Sequence, residues 1–161
     1  MKAIIVYYSL EGNTDYTAKL LAKELGADLL RLEPVTPYPT DNKKFFAGGK
    51  DATLGIEPPL KPYDFNADDY DTIILGTPLW AWTIAPPLKT FISGNKLSGK
   101  KLAFFVSSGG GSDKKCFAKM HKLTGAENAP CLSVVDLLKN KNPDDIAKVK
   151  SFADKIKENI N

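Results

Sequence analysis

Histidine, arginine and cysteine are nearly absent from this chain, which has one His, one Arg and two Cys in 161 residues. A histidine metal site or a Ser-His-Asp triad would have to rest on His121 alone. That residue lies among lysines on a predicted helix and reads as surface. Arg31 has no second arginine near it, and the formal net charge is only +3. Such a small excess excludes the basic footprint of a nucleic-acid binder. Cys116 and Cys131 are too far apart for a CxxC motif and read as reduced thiols. No apolar run reaches membrane-spanning length, and residues 1–8 lack the small-residue cleavage site of a signal peptide. These absences lead us to expect a cytoplasmic protein with no membrane partner, no metal and no side chain that demands a catalytic role.

What is present is an ordinary globular composition, 43% hydrophobic and 25% charged, in a length that suits one domain, residues 1–161. Apolar strand-like runs alternate with amphipathic segments. Residues 2–8 read as a strand buried on both faces. Residues 14–25 read as a helix with Ala18, Leu21, Ala22 and Leu25 on one side, ended by Gly26. Residues 28–33 are a second strand.

Residues 34–69 are irregular, with six of the eleven prolines and the Gly48-Gly49 pair, and one short helix around 42–47. So long a connection is either a lid over a ligand or a surface crossover, and both readings stay open. A third strand is expected at 71–75, a helix from about 83 with Pro86 and Pro87 in its first turn, and a fourth strand at 101–107. A helix at 113–123 turns Phe117, Met120 and Leu123 inward, its lysines 114, 115, 119 and 122 forming a solvated face. Residues 131–135 are the fifth strand. Asn142 caps a last helix carrying Ile146, Val149, Phe152, Ala153 and Ile156. Strands alternating with helices predict a doubly wound, five-stranded parallel sheet with helices on both faces, and ligands beyond the strands' carboxyl ends.

Three loops leave those ends. Ser9-Leu10-Glu11-Gly12-Asn13-Thr14 follows a strand and opens a helix, so free N–H groups and the helix dipole favour an anion there. Gly12 permits close approach, and the side chains of Ser9, Asn13 and Thr14 can donate. No G-x-G-x-x-G fingerprint of NAD binding and no G-x-x-x-x-G-K-[ST] of NTP hydrolysis follows the first strand. Thr77-Pro78-Leu79-Trp80-Ala81-Trp82 places both tryptophans in the second loop, as a platform for a flat ring. Ser108, Gly109, Gly110 and Gly111 bring bare backbone donors in the third. A phosphate cradle, an aromatic platform and a donor strip together suit FMN.

The segment Tyr8-Ser9-Leu10-Glu11-Gly12-Asn13-Thr14 resembles the [ST]-x-[TS]-G-[NT]-[TS] phosphate loop of the flavodoxin-like family. Gly76-Thr77-Pro78-Leu79-Trp80 and residues 107–112 resemble its second and third flavin loops. The uninterrupted fifth strand is similar to short-chain members. The resemblance implies strand order 2-1-3-4-5, non-covalent FMN, electron transfer, Ser9, Asn13 and Thr14 on the phosphate, and Trp80 or Trp82 beside the ring.

Three features depart from the family pattern. Glu11 stands where the motif has a hydroxyl, and its side chain is expected to point to solvent while its N–H donates. The chain lacks the strong acidity that steers family carriers to basic partners. The third loop has no tyrosine or tryptophan to cover the outer flavin face, which leaves that face open.

Two functions follow. One is a small carrier passing electrons between redox partner proteins, which we expect. The alternative is an oxidoreductase taking hydride from NAD(P)H and reducing a quinone. Monomer and homodimer both stay open. A receiver-type regulatory domain would want acidic residues at the end of the first strand, where Tyr7 and Tyr8 stand.

Overall fold

The computed structural model describes residues 1–158, so the end of the expected domain, 159–161, lies outside the described residues. Five parallel strands form the sheet: β1 (Ala3–Tyr7), β2 (Asp28–Arg31), β3 (Thr72–Trp80), β5 (Lys101–Ser108) and β6 (Cys131–Val135). Their order is β2-β1-β3-β5-β6, and a two-residue strand β4 (Thr83–Ile84) pairs antiparallel with β3. Without β4 this is the expected 2-1-3-4-5 order.

The uninterrupted apolar strands are explained by two cores. Side chains alternate across each strand, so Ile5, Tyr7, Ile74, Ala103 and Phe105 enter one core. The helices of that face are α1 (Asn13–Leu25), the short α5 (Leu137–Asn140) and α6 (Pro143–Glu158). Ile4, Val6, Ile73, Leu75, Phe104 and Val106 enter the other, with Leu88 and Phe91 of α3 (Pro86–Gly94) and Cys116 and Met120 of α4 (Lys114–Thr124). Full burial of a side chain such as Phe104 or Phe105 is worth about 2–3 kcal/mol each.

Several local expectations are corrected. The second strand stops at Arg31 rather than 33. β3 runs on to Trp80, past the expected end at 75, and turns back through Ala81 and Trp82 into β4. Both turn residues are left-handed, with φ of 49° and 61°, the geometry of a tight two-residue hairpin. The following helix therefore starts at Pro86, where its prolines lack only N–H groups that would be orphaned anyway. On α4, Leu123 is exposed, and Cys116 and Met120 carry the buried stripe at i, i+4 spacing. On α6, Ile146 is exposed, whereas Val149, Phe152, Ala153 and Ile156 are buried. His121 is not a free surface residue. Its Nδ1 meets the Ala126 carbonyl at 2.6 Å, and its ring lies edge-on to Phe104, 5.1 Å between centroids.

The irregular 34–69 connection holds a full helix, α2 (Lys43–Leu54), longer than the short helix expected at 42–47. The two ends of the connection are strapped to each other by an antiparallel bridge between Pro34 and Leu60. The Val35 amide donates to the Pro59 carbonyl at 2.9 Å, and the Lys61 amide to the Glu33 carbonyl at 2.8 Å. The Tyr38 hydroxyl donates to Asp51 Oδ2 at 2.8 Å. Gly48, a poor helix former, lies where the helix meets Trp80: a Cβ there would stand 2.7 Å from the indole ring. No described helix is long and apolar enough to cross a membrane.

Candidate cofactor-binding site

β1, β3 and β5 end on the same edge of the sheet, and the loops leaving them surround a cavity of about 490 Å³. Ser9, Leu10, Glu11, Asn13 and Thr14 of the first loop line it. Pro78, Leu79, Trp80 and Ala81 come from the second, and Ser107, Ser108 and Gly109 from the third. A cavity of similar volume lies among Thr72, Leu102 and Ala129 at the opposite, amino end of the sheet, away from the edge where open α/β sheets hold ligands.

The first loop is built by its glycine. Gly12 has φ 101°, which turns the chain sharply from β1 into α1, and its amide donates to Ser9 Oγ at 3.2 Å. Ser9 is buried, and its carbonyl accepts from Arg31 Nη2 at 2.8 Å, which ties the loop to β2. Asp15, in the first turn of α1, accepts from the Tyr7 hydroxyl at 2.6 Å and pairs with Lys19 at 2.7 Å. Burial works against the Asp15 carboxylate, but the bonds from Lys19 and Tyr7 and the charge of Arg31 outweigh it and hold its pKa below the usual range. Thr14 and Ser107 share a hydrogen bond of 2.6 Å that joins the first loop to the end of β5. Asn13 Oδ1 accepts from the Leu138 amide at 3.1 Å, so its NH₂ group remains to donate.

The two tryptophans have different settings. Trp80 lines the cavity, its ring edge-on to Tyr8 at 5.5 Å and to Tyr38 at 5.1 Å. Burial pushes the Tyr8 phenol up to about 12, against the pull of Arg31. It also raises Tyr38, which donates to Asp51. Both phenols therefore stay neutral at ordinary pH. Trp82 is 63% exposed and does not line the cavity. It stands beside the third loop, where a Cβ on Gly111 would come 3.9 Å from its Nε1.

Other expected site residues lie off the wall. Thr77 is fully buried, its hydroxyl accepting from the Ala85 amide at 2.9 Å and donating to the Pro78 carbonyl at 2.8 Å, so it braces the hairpin. Gly12, Gly110 and Gly111 shape loops without lining the cavity. In the third loop the Gly110 amide donates to Ser108 Oγ at 3.2 Å.

Four wall residues were not foreseen. Lys44, Phe45 and Gly49 come from α2, and Asp136 from the turn after β6. Glu11 is exposed as expected, yet it is ion-paired, its carboxylate accepting from Lys44 Nζ. The short helix expected at 42–47 and the length of the 34–69 connection hinted at α2 but not at its place in the wall, and nothing in the sequence pointed to Asp136. No cluster of His, Cys, Asp or Glu suited to a metal occurs among the described residues.

Hydroxyls and backbone N–H groups at one end of the cavity, with an apolar and aromatic wall beside them, fit a phosphate carried on a flat ring. The fold defines a doubly wound α/β protein with a cavity at the carboxyl end of its parallel sheet. The family model for flavodoxin matches residues 2–131, and the chain belongs to the flavodoxin family.

Among relatives, the chain is 29% identical over 120 residues to NAD(P)H dehydrogenase (quinone) 3 of Rhizobium meliloti (strain 1021). That match covers 67% of this chain and 53% of the relative, so the chain spans about half the relative's length. A Bacteroides eggerthii DSM 20697 protein provisionally assigned as a flavoprotein superposes with TM-score 0.72 at 25% identity, covering 96% of this chain and 97% of that one. A flavoprotein from Lactobacillus acidophilus NCFM, solved in complex with FMN, superposes with TM-score 0.69 at 22% identity over 83% and 91% of the two chains.

Proposed function

We propose that this chain binds FMN without a covalent bond and works in electron transfer. The observation that carries the reading is the single cavity in which the three strand-end loops meet, hydroxyl-lined at the β1–α1 turn and apolar along β3. Ser9, Asn13, Thr14 and the first-turn amides of α1 hold the phosphate, with the α1 dipole in support. Trp80, braced by Tyr8 and Tyr38, sets the ring plane. Gly109 and its neighbours turn backbone donors to the ring's polar edge. The bound flavin supplies the redox chemistry, so the protein's task is binding, orientation and control of access.

Purified protein should be yellow, or turn yellow and quench flavin fluorescence on titration with FMN. A colourless protein that takes up no added FMN sinks the reading.

One structural feature favours the oxidoreductase as a second reading. Trp82 is exposed and the glycine loop carries no ring, so a flat substrate has room to approach. The NAD(P)H dehydrogenase (quinone) relative supports the same idea. Anaerobic mixing of the FMN-loaded protein with NADH and with NADPH separates the two: a carrier is reduced slowly or not at all, whereas an oxidoreductase is bleached rapidly by one of them.

A further inference from the structure

We propose that Lys44 of α2 is a phosphate-binding residue, held over the first loop by Glu11, and that α2 thereby makes the site selective for the phosphorylated flavin. The inference rests on the FMN reading above. A phosphate carries nearly two negative charges at neutral pH. Glu11 and Asp136, both lining the cavity, are carboxylates and would repel it. Lys44 is the one cation among the residues that line this cavity.

Its setting is unlike that of its neighbours on the helix. Phe45 and Phe46 are 72% and 85% exposed, but the Lys44 side chain is only 19% exposed and reaches across to the first loop. Two other contacts fix α2 independently of the ion pair, Gly48 against the Trp80 ring and Tyr38 on Asp51. The ammonium is therefore delivered by a docked helix. It has three N–H donors, and the bond to Glu11 uses one. The ammonium also stands over the Phe45 ring, 5.1 Å from its centroid, a contact that uses the ring face rather than an acceptor. The remaining donors can turn to a phosphate oxygen in charge-assisted bonds, the stronger class. Glu11 thus has a role despite its sign: it converts a mobile surface lysine into a placed one, and the pair it forms offsets its own repulsion.

The test is a fluorescence titration of the full chain with FMN and, separately, with riboflavin, which lacks the phosphate. Lys44→Ala should weaken FMN binding about tenfold to a hundredfold, while riboflavin binding changes by less than about twofold. Lys44→Arg should restore most of the FMN affinity. Glu11→Gln should raise FMN affinity more in the Lys44→Ala background than in the wild type, because there the carboxylate repels with nothing to offset it.

If the wild type binds FMN and Lys44→Ala leaves that unchanged, or weakens FMN and riboflavin alike, the proposal is overturned and the FMN reading stands. An equal Glu11→Gln effect in both backgrounds removes the role given to Glu11. A wild type that binds neither flavin overturns the FMN reading, and this inference with it.

Discussion

At the turn from β1 into α1 the backbone of Gly12 has φ 101°, where a side chain is strained by about 1–3 kcal/mol. An added Cβ would also meet Leu138 Cδ2 at 3.1 Å. We expect Gly12→Ala to lower stability by about 1–2 kcal/mol and to weaken FMN binding about tenfold, read by a thermal melt and a fluorescence titration. Unchanged affinity would mean that the phosphate lies elsewhere. Single residues of this kind were readable in the sequence because their neighbours in the chain are their neighbours in space. Ser9, Gly12, Asn13 and Thr14 form one local turn. Lys44 and Asp136 were unreadable for the opposite reason: they reach the same cavity from α2 and from the turn after β6.

Among the elements, the full length of α2 and the β3–β4 hairpin are not legible in the sequence, each for a nameable cause. The Gly48-Gly49 pair masks α2, because glycine disfavours a helix, while the close approach of Trp80 rules out a larger residue at 48. Ala81 and Trp82 mask the hairpin, since such turns are recognised by Asn-Gly or Asp-Gly and here two ordinary residues take φ above zero. The contact between the two elements gives an expectation. Gly48→Ala puts a Cβ 2.7 Å from the Trp80 ring and should cost about 1–3 kcal/mol. Amide exchange should rise across α2 and stay slow in β1, β3 and β5. Equal protection of α2 in variant and wild type would show that the helix is not anchored through this contact. The same variant should weaken FMN binding, because Lys44 and Phe45 travel with the helix.

For the molecule as a whole, binding to the native state alone raises its stability by mass action. At FMN concentrations near a hundredfold above Kd the gain is about 2.7 kcal/mol, which for a domain of this size lifts Tm by about 5–10 °C. Riboflavin at the same concentration should lift it less, since the phosphate end of the cavity stays unused. Differential scanning fluorimetry with each ligand reads both, and equal shifts would speak against a phosphate subsite. The net charge of +3 acts at this scale too, since any steering of a partner must come from local fields rather than from overall acidity.

The sequence by itself determined the strand and helix alternation, the doubly wound sheet, the tight β1–α1 turn and the glycine loop. Each of these is written in hydrophobic period or in short local motifs, and hydrophobic burial on both sheet faces leaves little freedom in how they assemble. Only the tertiary structure decided which tryptophan lines the cavity, that α2 forms part of its wall, and that Glu11 meets Lys44. Those outcomes depend on where a long, glycine-interrupted connection comes to rest on the sheet, and that is set by packing between residues far apart in the chain.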